Sequence, residues 1–158
     1  MKLTLITSFL VIALRFLLFK AGRPAEGTDF MFVHFMAIVT VIFFQGKRML
    51  QDDPLTGIAD LLREGFKVSA IYALLIGIYL WVHYTHIESD YFRMRIDALV
   101  ELGVAEGNPE DLIRGRMEKF FTPFNYASMT FFVLLIVGAV NTMLIGLLHH
   151  KVLRKITR

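Results

Sequence analysis

The chain has 158 residues, of which 56% are hydrophobic and only 20% charged, and its mean hydropathy is +0.57. A water-soluble domain of this length has too little interior to hide that much apolar surface, and the same composition excludes disordered, collagenous and coiled-coil classes. There is no cysteine, which removes disulfide frameworks, thiolate metal sites and cysteine nucleophiles, and the net charge of +3 acquires meaning only from where the charges lie.

Apolar runs occur four times, over residues 3–19, 30–45, 68–87 and 124–148. At 1.5 Å per residue the last two easily cross a hydrocarbon core of about 30 Å, and the first two need flanking residues to finish the crossing. Lipid offers no partner to a bare peptide group, so each run is expected to be helical, and the absence of a period-two alternation disfavours an outer-membrane barrel. The first run is read as a retained helix rather than a signal peptide, because Arg15 interrupts it and no small-x-small cleavage site follows.

Between the second and third runs, Asp53-Pro54 marks a turn, and Thr56 is placed to cap a short helix over 57–64. The longer connection, 88–123, reads as two short amphipathic helices. Ser89 is the expected cap of the first, with Asp90, Arg93, Asp97 and Glu101 on its wet face. Tyr91, Phe92, Ile96, Leu99 and Leu102 lie opposite, with Arg95 as the exception. Gly103 and Gly107 bracket the break. Asn108 is the expected cap of the second helix, with Pro109 in its first turn. Glu110, Arg114 and Glu118 form its wet face, and Leu112, Ile113, Met117, Phe120 and Phe121 its dry one. The expected fold is an all-α integral membrane protein: one membrane domain over 1–158, with four transmembrane helices and an amphipathic helical pair between the third and fourth.

Sidedness follows from basic residues. The face carrying both termini and the 46–67 connection holds nine (Lys2, Lys47, Arg48, Arg63, Lys67, Lys151, Arg154, Lys155 and Arg158) against four acidic residues; the opposite face holds seven against ten. Both termini are therefore expected to be cytoplasmic. The basic tail falls where anionic headgroups lie, and with no folded cytoplasmic domain to present it, nucleic acid is not an expected partner.

Polar residues within a span are costly and thus candidates for function. Arg15 lies about one turn from the outer end of the first span; its ordinary use is to snorkel, its functional one to pair with an acidic group or a bound lipid. His34, His83 and His86 fall toward one leaflet and are the candidates for a metal or haem ligand set. Against that, neither HExxH nor a carboxylate-flanked pair is present, and Trp81, Tyr84, His83 and His86 also fit an interfacial belt. His149 and His150 carry less weight. No cofactor and no metal is assigned. Asn141, with Thr40 and Gln45, is a candidate for a polar path or ion contact, though interhelical hydrogen bonding is the usual role of such an Asn. Small residues every fourth position, Ser69, Ala73 and Gly77 in the third span and Gly138, Thr142 and Gly146 in the fourth, form grooves for close helix packing or for another subunit. No phosphate loop, nucleophile elbow or Ser/His/Asp arrangement is present, and no Asp or Glu lies inside the expected spans.

The stretch Gly46-Lys47-Arg48, Gly57-Ile58, Leu61 to Phe66-Lys67, and then Tyr84, Ile87, Glu88 and Tyr91-Phe92 resembles a bacterial family of small four-span membrane proteins catalogued only as a domain of unknown function. The wording matches over about residues 46–95 and the topology over the whole chain; Glu88-Ser89-Asp90 stands where such members usually carry Asp-Pro. The resemblance implies a four-helix bacterial inner-membrane protein and supplies no catalytic residue. The expected function is non-enzymatic: an accessory or assembly subunit, or a homo-oligomer, with the bilayer and another membrane protein as partners. The alternatives are a small transporter or channel, and a metal- or haem-binding redox subunit.

Overall fold

The computed structural model describes residues 1–23 and 27–153, and every regular element among them is helical. Four helices are long and apolar enough to cross a bilayer. They are α1 (Lys2–Lys20), α2 (Gly27–Asp52), α3 (Ile58–Val82) and α6 (Pro123–Leu148), with α4 (Tyr91–Ala105) and α5 (Glu110–Phe120) between the third and fourth. α3 and α6 each run on into a π-helical turn, His83–Ile87 and His149–Leu153.

Beside a largely apolar core, the long helices leave many large apolar side chains exposed. α1 turns Thr4, Ser8, Val11 and Arg15 inward and leaves Leu5, Ile6, Phe9, Leu10, Leu14 and Leu17 exposed. α6 likewise buries Gly138, Asn141 and Thr142 and exposes Phe132, Ile136, Met143 and Leu144. In water such a surface would drive aggregation; hydrocarbon solvates it, leaving small and polar groups to mediate helix contacts. The protein is an all-α multi-pass membrane protein in contact with the lipid bilayer.

The chain divides into two compact units, Met1–Ile76 with Phe131–Arg158, and Gly77–Thr130. In the first, α1 packs on α2, and α3 meets α6 through residues too small to hold the backbones apart. A Cβ added at Gly138 would sit 2.5 Å from that of Ser69, one at Gly65 would sit 2.6 Å from Thr142 Cγ2, and one at Gly146 would sit 2.8 Å from Leu62 Cδ2. The α6 stripe Gly138, Thr142, Gly146 thus faces Ser69, Gly65 and Leu62, a register displaced toward the start of α3 from Ser69, Ala73, Gly77. Ala73 and Gly77 are buried too.

Helix ends depart from the sequence expectation in a consistent direction. α2 continues to Asp52 and α3 begins at Ile58, so the short helix expected over 57–64 is the opening of α3 itself, and Asp60 and Glu64 belong to a membrane helix. Hydropathy marks where hydrocarbon ends, whereas a helix persists for as long as one face has something to bury. Leu50 and Leu61 supply that face beyond the apolar runs, and Lys47, Arg48, Gln51 and Asp52 stay exposed. In the connection, Asp53 Oδ1 accepts from Leu55 N at 2.9 Å. Thr56 directs its hydroxyl back to Asp53 O at 2.7 Å, closing the turn rather than capping α3 as the sequence suggested. α1 ends in a Schellman motif: Arg23 N bonds Leu18 O, Gly22 N bonds Phe19 O, and Gly22 takes φ +68°, a conformation glycine adopts without penalty.

The second unit is built around Tyr84, which is 1% exposed. The rings of Tyr91, Phe92 and Tyr126 lie 4.8, 5.1 and 5.2 Å from its own. α4 adds Ile96 and Val100 to this core. Neither Ser89 nor Asn108 caps a helix as expected; the N-cap positions fall on Asp90 and Pro109, without side-chain capping bonds. Asn108 instead completes the Schellman end of α4, bonding Gly103 O through both its backbone N and its Nδ2. Thr122 caps α6, accepting from Asn125 N at 3.1 Å, with Pro123 in the first turn where its missing N–H costs nothing. Lys151 is exposed near the end of the described chain, and Arg154, Lys155 and Arg158 lie outside the described residues.

Candidate functional site

The densest polar arrangement in the first unit links three helices. Arg15 of α1 is only 6% exposed, so it does not snorkel to an interface. Its guanidinium lies 5.2 Å from the centre of the Phe30 ring, a cation–π geometry that strengthens as water is removed. Phe30 meets the imidazole of His34 edge-on at 5.1 Å, both on α2 and one turn apart. His34 Nδ1 then shares a 2.8 Å hydrogen bond with Tyr72 OH of α3, and both residues are buried. Arg15 is within electrostatic reach of His34.

Chemically the ladder offers a buried cation, an imidazole and a phenol. It has no activated hydroxyl nucleophile and, among the described residues, no group of three or more His, Asp and Glu that could hold a metal ion. Of the two histidines expected alongside His34 in a ligand set, His83 has polar partners of its own. His83 sits in the π-helical turn after α3, with Nε2 3.2 Å from Glu88 Oε2 and Nδ1 3.3 Å from Tyr79 OH. His86 is exposed.

Of the candidates for a polar path, Asn141 is buried but donates to Val137 O of its own helix at 2.8 Å. Thr40 is exposed on the outer face of α2, and Gln45 donates to Glu64 Oε1 at 3.3 Å. His149 is buried against Gly46, whose added Cβ would lie 3.2 Å from the ring, and its Nδ1 donates to Ile145 O at 2.8 Å. Sequence reasoning missed Phe30, Tyr72, Tyr79 and Glu88. A tyrosine well inside an apolar run was the available signal for Tyr72, since a phenol in hydrocarbon needs a partner.

Outside the spans, α4 and α5 form a braced hairpin. Arg114 reaches Asp97 Oδ1 at 2.7 Å and Glu110 Oε1 at 3.2 Å, so residues expected on separate solvated faces meet each other. The hydrogen bond that Arg114 donates to Asp97, then that to Glu110, holds the guanidinium pKa above the ordinary arginine value. Ile113 seats directly on Gly103, where any larger residue would collide with it. Yet Leu102, Leu112 and Phe120 of the expected dry faces remain exposed, as does Met94, so those faces are only partly covered by the described residues. The chain matches no protein-family model, no curated protein and no solved structure.

Proposed function

We propose that the protein is a non-enzymatic accessory or assembly subunit of a membrane complex, and that the α4–α5 hairpin is the part that recognises its partner. The carrying observation is the hairpin's combination of rigidity and bareness. Arg114 and the Ile113–Gly103 contact fix its shape, while Met94 at 68% and Leu102 at 63% exposure offer apolar side chains with nothing among the described residues to cover them. Preorganised apolar anchors of this kind are what a binding surface needs. The buried ladder from Arg15 to Tyr72 serves as an interhelical clamp. The α6 small-residue stripe is occupied by α3 and is not the docking surface. Asn141, Thr40 and Gln45 lend no support to a transport path, nor the histidines to a metal or haem site.

Sidedness and setting rest on sequence. The basic-residue asymmetry supports cytoplasmic termini, and the resemblance over residues 46–95 supports a small four-span protein of the bacterial inner membrane. The partner is another membrane protein rather than nucleic acid.

A photo-crosslinking residue placed at position 102 and, as a lipid-facing control, at position 144 tests the proposal in native membranes. The expected result is a discrete protein adduct from 102 and lipid adducts alone from 144. Lipid adducts alone from both positions, together with a monomer on purification in mild detergent, would remove the accessory-subunit reading.

A further inference from the structure

Near the ends of α1 and α2 on the terminal face lies an open cleft of about 500 Å³, within the range of small-ligand sites, roughly 300–1,000 Å³. Its walls are of two kinds. Leu3 and Phe44 form an apolar side, and Phe44 is half exposed; Lys47, Arg48 and Gln51 form a polar side about one turn farther along α2. Asp52 is the one acidic wall residue, and its ion pair with Arg48 is loose: 3.7 Å long, with side chains 70% and 74% exposed. Lys47 makes no ion pair among the described residues. Such exposed pairs contribute little, so Arg48 can exchange Asp52 for a better anion at small cost.

We infer that this cleft holds an anionic glycerophospholipid, its phosphate between Lys47 and Arg48 and an acyl chain along Leu3 and Phe44. A cationic ledge one helical turn beyond a bare aromatic ring, at the edge of the hydrocarbon layer, has the length and polarity order of a lipid entering from the bilayer. Free phosphate shares the cationic ledge but has no use for Phe44. With the sidedness proposed above, the cleft opens to the leaflet whose surface is negatively charged. The inference is independent of the accessory-subunit reading, since it concerns the opposite end of the spans and needs no protein partner.

The test is native mass spectrometry of the full chain in neutral detergent, titrated with dioleoyl phosphatidylglycerol or dioleoyl phosphatidylcholine. The expected result is retained phosphatidylglycerol with at least roughly tenfold weaker phosphatidylcholine binding. The double variant Lys47→Ala/Arg48→Ala is expected to bind phosphatidylglycerol roughly twentyfold more weakly, from about a fivefold loss per basic residue. Lys47→Arg/Arg48→Lys, which keeps the charges, is expected to retain binding, and Phe44→Ala to weaken it severalfold. Arg63→Ala/Lys67→Ala removes the same charge outside the cleft and is expected to leave affinity within about twofold. An equal loss in the two alanine pairs would reduce the effect to a general surface field and overturn the site. Inorganic phosphate competing as effectively as the lipid, or Phe44→Ala without effect, would overturn its assignment to a lipid.

Discussion

Gly138 and Tyr72 both sit where helices of the first unit meet, and they hold those helices by different means. Gly138 lets α3 approach until Ser69 Cβ is 2.5 Å from where a Cβ would be, so Gly138→Val forces the two helices apart at that point. Overpacking of this kind costs about 1–3 kcal/mol. Tyr72→Phe removes one interhelical hydrogen bond to His34, and within membranes such bonds average only about 0.6 kcal/mol. Denaturation in mixed detergent–SDS micelles should therefore rank Gly138→Val as the more damaging. The reverse order would mean that the polar ladder, not close packing, dominates the unit. The α6 stripe was legible because small residues at every fourth position of an apolar helix suit little besides close helix contact. Its register on α3 was not, since a groove does not specify the ridge that fills it, and Leu62 belongs to no small-residue pattern. Arg15 was left between two readings for a related reason: its distance from the helix end allows snorkelling and burial alike, and its neighbour Phe30 belongs to another helix.

Among the elements, the α4–α5 hairpin separates contact energy from charge. Arg114 is held protonated beyond the ordinary arginine range by Asp97 and Glu110. A raised folded-state pKa means that the guanidinium's contribution is full below its unfolded pKa and fades only as pH rises past the folded one. Alkali between about pH 7 and 10 should consequently leave the bridge intact, whereas raised salt should weaken it, because its side chains are 37%, 54% and 58% exposed. The seating of Ile113 on Gly103 has no such sensitivity. Hydrogen exchange over residues 99–117 should show a large loss of protection in Gly103→Leu at any ionic strength. Arg114→Gln should show a smaller loss, one that high salt reproduces in the unmodified chain. Equal behaviour of the two variants would contradict this division. The existence of both helices was readable from their charge spacing, but their caps were not. Ser89 and Asn108 are good capping residues by type, yet backbone geometry at Gly107 draws Asn108 back to the carbonyl of Gly103, where it closes α4 instead of opening α5.

For the whole molecule, the decisive property is that large apolar side chains remain exposed along all four long helices. Lengths agree: α1, with 19 residues, is about 28 Å long, and α2, with 26, about 39 Å. The surplus in α2 is its charged end beyond Gln45, which is accommodated in the headgroup region or by tilt. Four crossings would place Lys2 and Gln51 on one side of the membrane and Glu106 on the other, whichever side is cytoplasmic. Because the chain contains no cysteine, this parity can be measured without first removing any native thiol. Lys2→Cys, Gln51→Cys and Glu106→Cys all introduce exposed thiols. A membrane-impermeant maleimide applied to sealed, oriented vesicles should label the first two from the same face and the third only from the opposite face. If the basic-residue asymmetry sets the orientation, the face that labels Lys2→Cys and Gln51→Cys is the cytoplasmic one. Glu106→Cys and Gln51→Cys reacting from one face would mean that α3 does not complete its crossing. The exposed apolar side chains of Leu74 and Ile78 on α3 would then need some cover other than lipid.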